Sequence, residues 1–186
     1  MASFVIGLCG YAGAGKDTFA EMLAKAAQAR GLTAGCFSFA QPMRSMLLAL
    51  GVPPQYMLLR ELKEEPVPGF GLSYRHLAQT LGTEWGRKCN GEDFWLRATA
   101  VEVEKYKLDV SIISDVRFPN EAAWVNERPH GFLFRLVRGV APVRAHESEA
   151  YVETLPAMNV YNGGSLKDLE AQAEIVISRV LDSRQG

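Results

Sequence analysis

Cysteine and histidine are scarce among the 186 residues, with three of each. Cys9, Cys36 and Cys89 have no paired metal-ligand spacing, and His76, His130 and His146 are scattered, which argues against a zinc site. Cys9 and Cys36 lie in apolar, strand-like runs, so both are expected to be buried thiols in a reducing compartment. Neither sign of charge dominates. Twenty basic and 21 acidic side chains leave a formal net charge of −1, which advertises no general surface for polyanions. No apolar run approaches the about 20 residues of a membrane span, and no basic segment precedes the short apolar stretch near Met1. The expectation is a cytoplasmic protein that takes neither nucleic acid nor membrane as a partner. Within the basic set arginine outnumbers lysine 13 to 7, a bias that suits forked phosphate recognition and also fits ordinary surface composition.

Repeats and low-complexity tracts are missing as well; what the chain has is an alternation of strand and helix signals. Strands are expected at 3–9, 34–39, 110–114, 132–137 and, more weakly, 157–161. Helices are expected at 15–30, 42–50, 73–88, 92–107 and 165–182, the first with Phe19, Leu23 and Ala26 on one face and the last with Leu166, Leu169, Ala173, Val176 and Val180 at helical spacing. Pro42 suits a first helical turn. Residues 51–72, with Pro53, Pro54, Pro66, Pro68, Gly69 and Gly71, read as an irregular segment. Strands separated by helices imply an α/β fold, a parallel sheet covered on both faces with ligands at the carboxyl ends of its strands.

The first strand runs straight into Gly10-Tyr11-Ala12-Gly13-Ala14-Gly15-Lys16-Asp17-Thr18. Strand, glycine loop and helix follow in the order that a phosphate-binding loop requires, with the Gly-x4-Gly-Lys spacing. Glycines let successive backbone N–H groups turn inward where a Cβ would obstruct them. Lys16 supplies a mobile point charge, and the helix adds its positive N-terminal end. The loop predicts a site for a nucleoside triphosphate. Asp17 stands where a Ser or Thr hydroxyl commonly ligates Mg²⁺; its carboxylate should face away from the phosphates or hold the metal through water.

Two further clusters carry chemistry. On the helix expected at 73–88, α spacing places Leu77, Leu81 and Trp85 on one face and Arg75, Gln79, Thr83 and Arg87 on the other. Such a polar face can be merely solvated. Arginines also fork onto phosphate, and Gln79 can present a donor and an acceptor to a base edge. Gly82 and Gly86 cost about 1 kcal/mol each in a helix relative to alanine, which points to close approach of another group. The second cluster is Asp115-Val116-Arg117-Phe118-Pro119-Asn120-Glu121. Asp115 follows a buried strand, where a carboxylate can orient Mg²⁺ or its waters or simply make an Asx turn. Arg117 could stabilise charge on a transferring phosphoryl group, and Asn120 and Glu121 could begin the next helix.

The segments Ser38–Arg44, Arg75–Arg87 and Asp115–Glu121, extended by His146–Glu149 and Asn162–Leu166, resemble the deoxynucleoside monophosphate kinases of tailed bacteriophages. Gly15-Lys16-Asp17-Thr18 also looks like a variant of the Gly-Lys-Gly-Thr of small nucleotide kinases. The resemblance implies the P-loop kinase three-layer fold, one domain with an acceptor-binding helical insertion at 41–109 and a short lid at 138–150. It implies transfer from ATP, with Mg²⁺, to deoxynucleoside 5′-monophosphates. Gly10, Ala12, Gly13, Ala14, Gly15, Lys16, Asp17 and Thr18 would hold the donor phosphates, with Asn162 and Gly163 flanking the adenine through their backbone. Arg44, Arg75 and Arg87 would grip the acceptor, with Gln79 near its base. Tyr74 or Trp85 could stack there, although helical spacing from Leu81 makes Trp85 a core residue. Lys16, Arg117 and Arg138 would act on the transferring group, Arg144 being the lesser lid candidate, and Asp115 would hold the metal through water. Small-molecule nucleotides are the implied partners, and a homodimer is left open. Two alternatives stay open: a P-loop kinase acting on phosphomevalonate or dephospho-coenzyme A, and a nucleotide-binding regulatory protein without transfer activity.

Overall fold

The computed structural model describes residues 3–139 and 150–183. Its strands are β1 (Phe4–Cys9), β2 (Ala34–Phe37), β3 (Val110–Ile113), β4 (Gly131–Val137) and β5 (Met158–Tyr161). Its helices are α1 (Lys16–Gln28), α2 (Gln41–Ala49), α3 (Pro54–Leu58), α4 (Tyr74–Gln79), α5 (Phe94–Tyr106), α6 (Pro119–Asn126) and α7 (Leu166–Asp182). All five strands are parallel, in the order β2-β3-β1-β4-β5. Every residue of β1 and β3 is buried, as expected for central strands covered on both faces. The chain leaves β1 toward β2 and later crosses to β4, so the loop after β1 opens at the point where the strand order reverses, the usual ligand crevice of such sheets.

Two compact units make up the chain, one of residues 1–38 with 103–186 and the other Phe39–Glu102. In the first, α1 contributes Phe19, Leu23 and Ala26 and α7 contributes Leu169, Ala173, Val176 and Val180 to one core with Phe4, Ile6 and Leu8. These are the helical faces that the sequence periodicity defined, except that Leu166, expected on the α7 face, is 69% exposed at the first turn of the helix. Arg30 ties α1 to α7 through Glu174 at 2.6 Å and Ser178 at 3.0 Å. A capping box starts α7: the Ser165 hydroxyl accepts from the Asp168 N–H at 3.2 Å, and the Asp168 carboxylate accepts from the Ser165 N–H at 2.7 Å. The second unit has its own small core of Leu47, Val52, Met57, Val67 and Tyr74.

Five expectations need correction. The helix expected at 73–88 is α only over Tyr74–Gln79 and continues through Thr80–Cys89 with the wider π pattern. Each π residue turns the chain by roughly 80° rather than 100°, so the apolar face drawn at α spacing does not reach Trp85, which is 41% exposed. Trp85 is therefore a surface residue, packed edge-on against Phe94 at 5.1 Å. Tyr74, named for stacking, is a core residue of the second unit. Cys36 is exposed, in contrast to buried Cys9, because β2 is an edge strand. Within 51–72 the prolines begin a short helix, with Pro54 at its first turn, and a 3₁₀ turn follows at Arg60–Leu62.

The close approach expected at Gly82 and Gly86 has an identity. The Trp95 indole N–H donates to the Gly82 carbonyl at 2.8 Å, and the ring occupies the space where a Gly86 Cβ would project. The ring fills the space that Gly86 opens, whereas a Cβ at Gly82 would meet Met43 Sδ at 3.0 Å.

Candidate functional site

The loop after β1 is built by three glycines in the left-handed region, Gly10 at φ 139°, Gly13 at φ 79° and Gly15 at φ 93°. At Gly10 a Cβ would also fall 2.7 Å from the Leu136 carbonyl oxygen, so glycine is required there by both strain and space. Gly15 is the N-cap of α1, and no side chain caps this helix start. The first N–H groups of α1 thus form an uncapped, electropositive end directly behind the loop.

Side chains engage four carbonyls of the loop. Lys16 Nζ donates to the carbonyls of Gly10 at 2.7 Å and Tyr11 at 2.9 Å. Arg138, one residue beyond β4, donates from Nη1 to the Gly13 carbonyl at 3.2 Å. Asn162, one residue beyond β5, donates from Nδ2 to the Ala14 carbonyl at 2.8 Å. A loop whose Gly10, Tyr11, Gly13 and Ala14 carbonyls are engaged by side chains, with a helix start behind it that no side chain caps, fits a phosphate chain, which needs N–H donors and tolerates no carbonyl oxygen.

Asp115 sits just past β3. The Val116 N–H donates to the Leu8 carbonyl at 3.0 Å, which brings the carboxyl end of β3 beside that of β1. The Asp115 carboxylate accepts from the Ser38 hydroxyl at 2.7 Å, so one oxygen is oriented from the end of β2. Among the described residues no three His, Cys, Asp or Glu side chains gather as a metal cage. A single oriented carboxylate fits Mg²⁺ that keeps most of its waters. Arg117 is exposed, and its backbone N–H donates to Glu121 Oε2 at 2.8 Å. The same oxygen accepts from the Phe118 N–H at 3.1 Å. Glu121, 2% exposed, thus caps the start of α6, a helix that begins at Pro119 rather than at Asn120.

Asp17 is exposed on the first turn of α1. Its charge reaches β2: burial of the sulfur, followed by the Glu21 and Asp17 carboxylates, pushes the Cys36 thiol above its ordinary value of 9.0 although the residue as a whole is exposed. Thr18 is also exposed, and so is Gly163, where a Cβ would meet nothing. Arg144 and most of the lid segment lie outside the described residues.

The second unit carries the residues expected to hold an acceptor. Arg44, on α2, has its Nε buried without a hydrogen-bond partner, an atom that ordinarily demands an acceptor. Arg75 is paired with Glu64. Arg87 has a side chain only 12% exposed, lies 3.5 Å from Glu92 Oε2 and donates to the Glu92 carbonyl at 3.2 Å. Gln79, the last residue of α4, is exposed.

Sequence reasoning missed Arg135. From the middle of an apolar strand it donates to the carbonyls of Val152 at 2.9 Å, Glu153 at 3.2 Å and Leu155 at 2.5 Å, and to Asn159 Oδ1 at 3.1 Å. It pins residues 152–155 to the sheet, and pairs in register with Cys9. The available signal was an arginine inside the run Gly131–Val137.

No family model matches the chain. Deoxynucleoside-5′-monophosphate kinase of Escherichia phage T5 is 36% identical over 85 residues, covering 46% of this chain and 34% of that protein. The match spans about a third of the length of that curated relative. Shikimate kinase from Aquifex aeolicus superposes with a TM-score of 0.55 at 12% identity, covering 98% of this chain and 100% of its own. Shikimate kinase from Bacteroides thetaiotaomicron gives 0.50 at 13% identity, covering 97% and 99%. At such identities the solved structures speak for the fold alone. No helix among the described residues is long and apolar enough to cross a membrane. The chain has the P-loop kinase fold, and over part of its length its sequence resembles a phage deoxynucleoside monophosphate kinase.

Proposed function

We propose that the chain is a cytoplasmic kinase that transfers the γ-phosphoryl group of ATP to a deoxynucleoside 5′-monophosphate. An oxygen of the acceptor phosphate forms the new bond to the γ-phosphorus, and the bond to the bridging oxygen of ADP breaks. The observation that carries the reading is the phosphate loop, its carbonyls engaged by side chains and its helix start without a side-chain cap, in a chain with 36% identity over 85 residues to a phage deoxynucleoside monophosphate kinase.

In this reading Gly10 to Thr18 hold the donor phosphates. Lys16 leaves the carbonyls of Gly10 and Tyr11 to follow the outer phosphates, an exchange of one set of oxygen acceptors for a more highly charged one. Asp115, oriented by Ser38, would hold Mg²⁺ through water, and the metal would supply neutralisation of phosphate charge. Arg138 and Arg117 stabilise charge on the transferring group. Arg44, Arg75 and Arg87 grip the acceptor phosphate, with Gln79 at its base; the orphaned Arg44 Nε is the observation in favour of that set. Positioning and charge account for most of phosphoryl-transfer catalysis, so no general base is assigned.

The test is direct. The protein is incubated with ATP, Mg²⁺ and, in separate reactions, each common deoxy- and ribonucleoside monophosphate, phosphomevalonate and dephospho-coenzyme A, and the products are separated. A diphosphate from one or more deoxy acceptors is the expected result. Product only from phosphomevalonate or dephospho-coenzyme A would replace the acceptor, and no product from any acceptor would remove the kinase reading.

A further inference from the structure

We propose that the side chain of Asn162 is a positioning residue for the donor phosphates, holding the Ala14–Gly15 peptide so that the Gly15 N–H faces into the loop. The inference rests on the reading of Gly10–Thr18 as the donor site, and assigns Asn162 a task different from framing the adenine.

The geometry is that of one amide against another. Asn162 Nδ2 donates to the Ala14 carbonyl at 2.8 Å. The described residues contain no cis peptide bond, and in a trans peptide the C=O and the following N–H point in opposite directions. Fixing the Ala14 carbonyl outward therefore fixes the Gly15 N–H inward. Gly15 has φ 93°, a conformation that side chains rarely adopt. An added Cβ at Gly15 would lie 2.6 Å from Asn162 Nδ2. The third glycine of the motif and Asn162 are thus a matched pair: the glycine leaves room for the amide, and the amide aims the peptide that the glycine frees.

Asn162 is itself well placed to act as a fixed post. Its backbone N–H donates to the Val137 carbonyl at 2.8 Å, extending the β4–β5 pairing by one step beyond Val137↔Tyr161. The next residue on β4's side, Arg138, takes the neighbouring Gly13 carbonyl. Two successive loop carbonyls are therefore held from the carboxyl edge of the sheet. Preorganised donors of this kind act without reorganisation when the anion arrives.

Calorimetric titration of the whole protein with ATP and, separately, with inorganic tripolyphosphate, which has no base, tests the assignment. Asn162→Asp keeps the shape and removes the donor; Asn162→Ala removes the amide. Asn162→Ala should lose affinity for the two ligands by the same factor, roughly tenfold for one positioned hydrogen bond, and Asn162→Asp, which also adds a negative charge, should lose more for both. A loss confined to ATP would assign the amide to the base and overturn the proposal. Unchanged affinity for both ligands would overturn it as well. If the unaltered protein binds neither ligand, the donor-site reading itself fails. Should the variants not fold, the Asn162 side-chain N–H₂ resonance of the unaltered protein decides: a proton protected from exchange before nucleotide is added supports the clamp, and a freely exchanging one sinks it.

Discussion

Trp95 and Gly86 are packed so tightly that a Cβ on the glycine would fall 2.5 Å from the indole Cε2 and 2.6 Å from Cζ2. The same ring donates its N–H to the Gly82 carbonyl at 2.8 Å, so it cannot slide away without losing that bond. Gly86→Ala would ordinarily gain about 1 kcal/mol in a helix. Here it should instead cost about 2 kcal/mol, the usual scale of an overpacked core. Urea unfolding of the variant and its parent measures this, and a stabilised variant would show that the ring is free to move.

That contact also marks where the sequence was legible. The sheet and the helices α1 and α7 follow from apolar periodicity, because Phe19, Leu23, Leu169 and Val176 occupy one continuous core. The phosphate loop follows from its spacing. Glycines at 82 and 86 announced close neighbours, yet their period could not tell that these are Met43 at Gly82 and Trp95 at Gly86, or that the turn widens from Thr80 onward. Trp85 was misplaced for that reason. Cys36 was misjudged because an apolar run does not reveal whether its strand lies at an edge. Asn162 and Arg138 could be named from the resemblance, but their bonds to loop carbonyls are tertiary contacts across more than 120 residues of chain and leave no local signature.

Lys16→Ala should reduce turnover by at least about a hundredfold, the scale on which a positioned charge at the transferring group acts. Its ammonium bonds the carbonyls of Gly10 and Tyr11 in its own loop, and the fold should survive. Single-turnover kinetics together with a thermal melt separate the two effects. Near-normal turnover in a folded variant would remove Lys16 from the reaction.

Asp17→Ser should keep Mg²⁺-dependent turnover within about tenfold, a barrier change of roughly 1.4 kcal/mol. A second readout follows from its neighbour. The Asp17 carboxylate helps to raise the Cys36 thiol, so removing that charge should lower the thiol's pKa and speed its alkylation at pH 8. Turnover abolished with folding intact would make the carboxylate a direct functional group, and unchanged alkylation would separate Asp17 from Cys36.

The start of α7 should carry a pH dependence. The Ser165 hydroxyl and, next, its backbone N–H hold Asp168 below its ordinary value of 3.8. A folded-state pKa below the unfolded one gives stabilisation that is present above the unfolded value and lost as pH falls through the folded one. Asp168→Asn should therefore melt earlier than its parent at pH 6, with the gap closing in acid below pH 3.8. A gap that persists unchanged at the acid end would mean that the carboxylate's charge is not what supports the cap.

Arg87→Lys tests the acceptor assignment at a cation whose side chain is largely buried. Arg87 is held between the Glu92 carboxylate and carbonyl, with a side chain 12% exposed. That cage keeps the guanidinium in one plane, and a planar fork suits a phosphate monoester dianion in a way that an ammonium cannot reproduce. Lysine should still pair with Glu92, so the unit should fold. The expected outcome is a higher KM for the deoxynucleoside monophosphate or a lower turnover, with ATP affinity little changed. Titration with ATP alone and initial rates at varied acceptor concentration supply the two measurements. Loss of ATP affinity equal to the loss in acceptor KM would move Arg87 to the donor side. Unchanged kinetics would leave Arg87 as a structural partner of Glu92 and return the acceptor phosphate to Arg44, whose Nε is buried without a hydrogen-bond partner.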